Sequence, residues 1–393
     1  MSDQYSAHTV WLISPLAHQP GHFWENTRKL ARELLNKGYD VHITCYEVPA
    51  QHLRFNDGDF QIVSPGPTAR SILRVLIPSE RWRNPLMCAV SASFRGAARR
   101  GAVTLCADGP VPLFAFLAGL GFFRGVVTVF GMVPKVNRGS VIHWLRTKII
   151  GHAVKRRRLR VVCETETVAE FWRLSGGGNA VSVIPYALES VGSPINRDDA
   201  RKSLGISPEE PLVLLFGIHR EDKDYKTVIL AAKSLAASPL LLFAGKSLSA
   251  PSPSRLCADA GYSRYLAIDE FIPRDKLPLF FRASDVIVLP YPADFERGSG
   301  LVIEACSYGC PIVASSGGYL ERFVRSNDIG ETYEAGNPLS LCAALTRALD
   351  SERQSAIRAR MPRIAEDHSM RKLVNSYIVS FSLLNDAGKR ITT

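Results

Sequence analysis

Acidic residues are scarce in the first half of this 393-residue chain. Up to residue 190 there are 13 of them against 23 lysines and arginines, a surplus of ten positive charges. From 191 to 393 the counts are 24 and 25. A surplus confined to one half points to an anionic partner for that half. Cysteine is thin as well. The eight residues Cys45, Cys88, Cys106, Cys163, Cys257, Cys306, Cys310 and Cys342 include no Cys-x-x-Cys pair. This excludes a disulfide framework, a zinc ribbon and a thioredoxin-like site, and reads as reduced, buried thiols in a cytosolic protein. Cys306 and Cys310 lie four apart on an expected helix without the histidines a metal site would need. No long apolar run is uninterrupted. The most membrane-like stretch, Gly109 to Val133, contains Arg124, Pro110 and Pro112. A mid-span arginine costs about 3 kcal/mol on insertion, so a buried helix followed by a core strand is expected there. The opening MSDQYSAHTVWLIS lacks a basic segment leading into an apolar core, and no signal peptide is expected.

What is present is ordinary globular material, 46% hydrophobic and 22% charged, long enough for two domains. The pattern alternates. Strands are expected at His8–Ser14 and Asp40–Cys45, with an amphipathic helix from about Phe23 to Lys37 between them. Strand, helix, strand over this span is a βαβ unit, hence a parallel sheet. Strands at Ala102–Cys106, Gly125–Phe130, Arg160–Cys163 and Val181–Ile184 continue the series. A helix opened by Thr167, with Glu170 three residues on, is expected after the third of these. Residues 187–210 are rich in Ser, Pro, Gly, Asp and Glu and read as a linker with one short helical piece near Asp198–Leu204. A second series follows, with strands at Leu212–Phe216, Leu240–Ala244, Tyr265–Ile268, Val286–Leu289 and Pro311–Ala314. Its helices are expected at Thr227–Ala237, Leu277–Ala283 and Leu301–Tyr308. The expected organisation is therefore α/β: two Rossmann-like domains, 1–186 and 211–366, whose parallel sheets face a central cleft. A helical tail, 367–393, closes the chain. Ligands of such sheets bind beyond the carboxyl ends of the strands.

Two segments at those ends carry chemistry. In LPYPADFERGSGLVIEACSYGCPIVAS (289–315), a strand gives way to a loop, and Gly298, Ser299 and Gly300 lead into a helix beginning near Leu301. Free amides and the helix dipole suit a diphosphate there. Glu304, within the first turns, is placed to accept hydrogen bonds from ribose hydroxyls, and Glu296 to meet hydroxyls of a sugar. After Leu212–Phe216 come Gly217, His219, Arg220 and Lys223. Gly217 permits a tight turn, and Arg220 and Lys223 suit phosphate oxygens. The plainer reading of EDKDYK is a solvated charged loop.

Together these residues resemble the retaining GT-B glycosyltransferases of family 4. Gly217, Arg220, Lys223 and Ala231 match its Gly, Arg, Lys and Ala positions. Glu296, Glu304, Ala305, Gly309, Pro311, Ile312 and Val313 match its signature of two glutamates, Ala, Gly, Pro and a valine-rich strand. Gly317-Gly318, ASDVIVLP (283–290) and IPYALE (184–189) fit as well. The likeness is convincing over about 180–325 and architectural before that. Where the family usually has glycine directly after the first glutamate and again five before the second, this chain has Arg297 and Ser299. The resemblance implies transfer of a sugar from a UDP- or GDP-sugar, with retention, by Arg220, Lys223, Glu296 and Asp108. Asp108 stands where the family often has histidine, or else that contact is absent. Gly217, Gly298, Ser299, Gly300, Leu301 and Glu304 would bind the donor, and Gly21 and His22 the acceptor, plausibly a lipid-linked saccharide of surface-polysaccharide assembly. No metal and no cofactor are expected, because cations and amides would stabilise the leaving diphosphate. An epimerase on the same fold, or a non-catalytic basic subunit, is the alternative.

Weaker signals complete the reading. Asp57-Gly58-Asp59 reads as a turn, and His18 and His22 straddle a Pro-Gly break. From Arg138 to Arg160 there are eight lysines and arginines, no acid, and an interleaved apolar set that includes Trp144. Such a segment can dock on an anionic membrane, giving a peripheral protein on the inner face, or can be an ordinary helix with one buried side. No nucleic-acid motif accompanies the charge.

Overall fold

A computed structural model describes residues 9–14, 23–46, 61–64, 77, 79–92, 102–106, 110–129, 140–188, 195–248 and 251–385. The chain divides into two compact units, residues 1–185 with 370–393, and residues 186–369.

The first unit contains β1 (Thr9–Ser14), α1 (Phe23–Asn36), β2 (Asp40–Cys45), β3 (Gln61–Val63), α2 (Glu80–Ala92), β4 (Val103–Cys106), α3 (Val111–Leu120), β5 (Gly125–Val129), α4 (Val141–Lys155), β6 (Leu159–Cys163), α5 (Glu166–Trp172) and β7 (Val181–Val183). The strands pair in parallel in the order β3-β2-β1-β4-β5-β6-β7. Alternate residues of each strand serve opposite faces. Trp11, Ile13, Val127 and Val161 pack against α2, α3, α4 and α5, while Val10, Leu12, Ile43 and Val126 face Trp24, Ala31 and Leu34 of α1. The apolar stretch around Arg124 is helix α3 and strand β5, as expected, and Thr165, not Thr167, caps α5. The Thr165 hydroxyl accepts from the Val168 amide at 3.4 Å. Thr165 has the extended backbone a cap requires, and Thr167 already lies inside the helix.

The second unit contains α6 (Arg197–Leu204), β8 (Leu212–Phe216), α7 (Tyr225–Ser234), β9 (Leu240–Ala244), α8 (Pro253–Asp259), β10 (Tyr265–Ile268), α9 (Leu277–Ala283), β11 (Val286–Leu289), α10 (Gly300–Tyr308), β12 (Ile312–Ser315), α11 (Tyr319–Asn327), β13 (Gly330–Tyr333), α12 (Pro338–Ala348) and α13 (Ser351–Asp367). The order is β10-β9-β8-β11-β12-β13, again parallel. Strand order reverses between β8 and β11, the switch point where ligands of such sheets bind.

Two boundaries differ from the sequence reading. Residues 195–210 form part of the second unit. Arg201 of α6 is fully buried, donates to the Asp285 carboxylate at 2.8 Å and bonds the carbonyls of Ser207, Pro208, Glu210 and Ala283. The same Asp285 oxygen accepts from the Leu212 amide at 2.8 Å. The last helix, α14 (Met370–Asn385), is no separate tail. Its Val374, Tyr377, Phe381 and Leu384 join the α1 face of the first sheet.

Candidate functional site

At the carboxyl end of β8 the chain turns at Gly217, whose φ of +88° suits glycine. A Cβ there would lie 3.5 Å from Lys223 Nζ and 3.8 Å from Leu301 Cδ1. The strand end, the lysine and the first turn of α10 therefore meet at one point. Lys223 is buried, and its ammonium donates to the Phe216 carbonyl at 2.8 Å. Burial, with the charge of Arg220 second, pulls its pKa down from the usual lysine range to about 7. Asp224 caps α7, accepting from the Thr227 amide at 3.0 Å, and its own amide donates to the Pro290 carbonyl at 2.8 Å. That bond ties the loop after β8 to the loop after β11, so EDKDYK is an ordered turn and not a loose solvated loop. Just before it, His219 is fully buried against the Tyr225 hydroxyl at 2.8 Å. Burial, then Lys223, pushes its imidazole down to about 4, so it is neutral at physiological pH.

Arg220 grips Asp222 with two bonds, Nε at 3.1 Å and Nη2 at 3.0 Å. Arg297 brings a second guanidinium to the same carboxylate, with Nη2 3.6 Å from Oδ2. Across the switch point, Ser299 is buried at the N-cap of α10, and its side chain makes no capping bond. Gly300 lies against Tyr186, where an added Cβ would come 3.4 Å from the ring. Gly298 directly precedes this cap. Glu304 is buried on α10, with Arg274 Nη2 3.3 Å from Oε1. Glu296 is ion-paired with Arg322. The loop that carries it runs close over the turn after β12, where a Cβ on Gly318 would fall 2.4 Å from the Phe295 carbonyl. That turn accordingly needs the Gly317-Gly318 pair.

The structure thus brings together Gly217, Lys223, Leu301 and the start of α10, with Arg220 and Glu304 on the same elements. Asp108, Gly21 and His22 lie outside the described residues, as do Asp57-Gly58-Asp59 and His18. The sequence reading missed Asp222 and Arg274 as partners of the expected ligands, and it missed the aromatic pair Tyr291 and Phe295. Those rings sit 4.3 Å apart between Lys223 and Arg297. Among the described residues no cluster of three or more His, Cys, Asp or Glu side chains is placed to hold a metal ion.

Residues 196–367 match the family described as glycosyl transferases group 1. The chain is 27% identical to a D-inositol 3-phosphate glycosyltransferase of Acidothermus cellulolyticus, over 93% of this chain and 85% of that protein. Two further relatives of the same name align over only 45% and 38% of their own length. Among solved structures, the chain is similar to Anabaena HepE in complex with UDP and glucose, with TM-score 0.70, 13% identity, and coverage of 95% of this chain and 99% of that one. It is also similar to WaaG, a glycosyltransferase involved in lipopolysaccharide biosynthesis, with TM-score 0.64, 14% identity, and coverage of 94% and 98%.

Proposed function

We propose that the chain is a glycosyl transferase of group 1, the family whose model matches residues 196–367, and that it is a hexosyltransferase that takes sugar from a UDP- or GDP-sugar with retention of configuration. The convergence of Gly217, Lys223, Arg220 and the α10 N-terminus at the switch point carries this reading. Breaking the glycosidic bond leaves a nucleoside diphosphate and an oxocarbenium-like sugar, so the barrier lies in charge developing on phosphate. Fixed cations and amides aimed at that charge lower it. Arg220, Lys223 and the amides around Ser299–Gly300 supply them, and no resident metal is called for. Glu304 suits the ribose. Glu296 serves the donor sugar once it is released from Arg322. Asp108 is assigned to catalysis, and Gly21 and His22 to the acceptor.

A lipid-linked saccharide at the inner membrane face is the acceptor that fits the first unit. Its α4 buries Ile150 and Ala153, yet leaves Val141 78% and Trp144 59% exposed. Lys155, Arg156 and Arg157 follow, also exposed. Apolar anchors beside cations are what an anionic bilayer binds. The relatives' printed name favours a second reading of the acceptor, an inositol phosphate. No described helix is long and apolar enough to cross a membrane.

A screen of UDP- and GDP-sugars for thermal stabilisation tests the donor. A true donor at a hundred times its Kd adds about 2.7 kcal/mol to the folded state. Turnover in EDTA, with the anomeric configuration of the product read by NMR, then tests the mechanism. If no nucleotide sugar raises the midpoint, the reading falls. If activity is lost in EDTA and restored by magnesium, metal independence falls.

A further inference from the structure

Arg297 has no part in the reading above, yet its surroundings are those of a ligand-binding cation. Asp222 Oδ2 is shared by two guanidinium groups, Arg220 at 3.0 Å and Arg297 at 3.6 Å. An anion that Arg220 can hold at this place is therefore also within reach of Arg297. The Arg297 guanidinium lies 5.1 Å above the Phe295 ring, which packs at 4.3 Å on Tyr291, and Lys223 Nζ lies 5.9 Å from Tyr291 on the same ring pair. Both rings are buried. Each ring of the pair thus has one of the two cations over it. Stacking on an aromatic face suits guanidinium, and so does planar, forked recognition of phosphate.

The charges argue the same way. Arg220 and Arg297 share the Asp222 carboxylate, and the buried Lys223 feels the charge of both Arg220 and Asp222, while the adjacent Glu296 is engaged by Arg322. One carboxylate shared by two guanidinium groups does not balance both, whereas a diphosphate brings at least two negative charges to them. We propose that Arg297 is a third cation of the diphosphate site. Asp222 holds Arg220 and Arg297 together until phosphate oxygens take over. The inference rests on the diphosphate reading of the switch point and adds to it a residue that reading does not require.

Calorimetric titration of wild type, Arg297→Ala and Arg297→Lys with UDP, GDP, UMP and GMP tests it, with thermal midpoints as a check on folding. The expected result is that Arg297→Ala weakens the better diphosphate by about tenfold or more. The corresponding monophosphate should lose less, and Arg297→Lys should recover part of the loss. Salt dependence should flatten in Arg297→Ala, because one cation fewer meets the ligand. Equal diphosphate affinity in wild type and Arg297→Ala overturns the inference and leaves the diphosphate reading standing. An equal loss for di- and monophosphate makes Arg297 a prop for the loop, and also overturns it. A wild type that binds neither UDP nor GDP overturns the diphosphate reading and the inference with it.

Discussion

The two units use charge in opposite ways. The first half carries nearly the whole surplus, and the exposed Lys155, Arg156 and Arg157 at the end of α4 display part of it openly, on the helix that exposes Val141 and Trp144 at its start. The second half is close to neutral, yet several of its cations are ordered on carboxylates. Arg201 is buried on Asp285 and Arg274 on Glu304, Arg220 and Arg297 share the half-exposed Asp222, and Lys223 is enclosed with its proton loosened. On the proposed function, net charge points to the surface for a large diffuse anion and is blind to the site for a small one. A buried ion costs several kcal/mol to leave unpaired, whereas an exposed cation near an anionic surface contributes about 1 kcal/mol.

The largest effect expected from that contrast is structural. Arg201→Ala leaves Asp285 buried beside uncapped carbonyls and should destabilise the second unit by about 3–5 kcal/mol, seen as a lower thermal midpoint. Arg201→Met with Asp285→Leu should recover much of it, because the pair is costly to break and not to replace. If Arg201→Ala melts like wild type, the 195–210 segment is not part of that unit's framework.

Next comes the proton on Lys223. Its folded pKa of about 7 lies below the unfolded value. Between these pH values the unfolded chain holds a proton the folded chain lacks, so this group makes stability rise with pH there and adds no slope below about 7. A bound diphosphate reverses the preference and favours the ammonium. UDP or GDP affinity should therefore fall as pH rises from 7 to 9, with proton uptake on binding at pH 8. Lys223→Ala should bind more weakly by about 2–4 kcal/mol and show no such slope. Calorimetry in buffers of different ionisation enthalpy reads both, and a flat wild-type profile removes the lysine from the site.

The smallest effect per residue is at the surface. Replacing Lys155, Arg156, Arg157 and Arg158 by glutamine should cut binding to anionic vesicles by about 1 kcal/mol per charge, leaving donor hydrolysis unchanged. Salt should weaken the wild type alike, since the Debye length shrinks to about 3 Å at 1 M. A wild type that ignores such vesicles at low salt ends the membrane reading.

The strands were the most legible part of the sequence. Leu212–Phe216, Leu240–Ala244, Tyr265–Ile268 and Val286–Leu289 are short apolar runs between turn residues, and the structure has them at those bounds. Helices with internal proline escaped notice. Pro85 sits inside α2 and Pro362 inside α13, and proline reads as a break. Within the candidate site, Gly217, Lys223 and the α10 start were readable because backbone geometry fixes them locally. The partners were not. Arg274 and Glu304 are thirty residues apart, and Arg201 and Asp285 eighty-four. Pairs that distant leave no spacing in a single sequence.

The return of α14 to the first sheet has a consequence for the chain as it leaves the ribosome. Residues 186–369 can fold as soon as they emerge, while the first unit, begun earlier, waits for Val374, Tyr377, Phe381 and Leu384 to cover one face of its sheet. The part started first is finished last. Until residues 370–385 emerge, that apolar face stays open, the kind of exposed surface on which nascent chains aggregate and chaperones act.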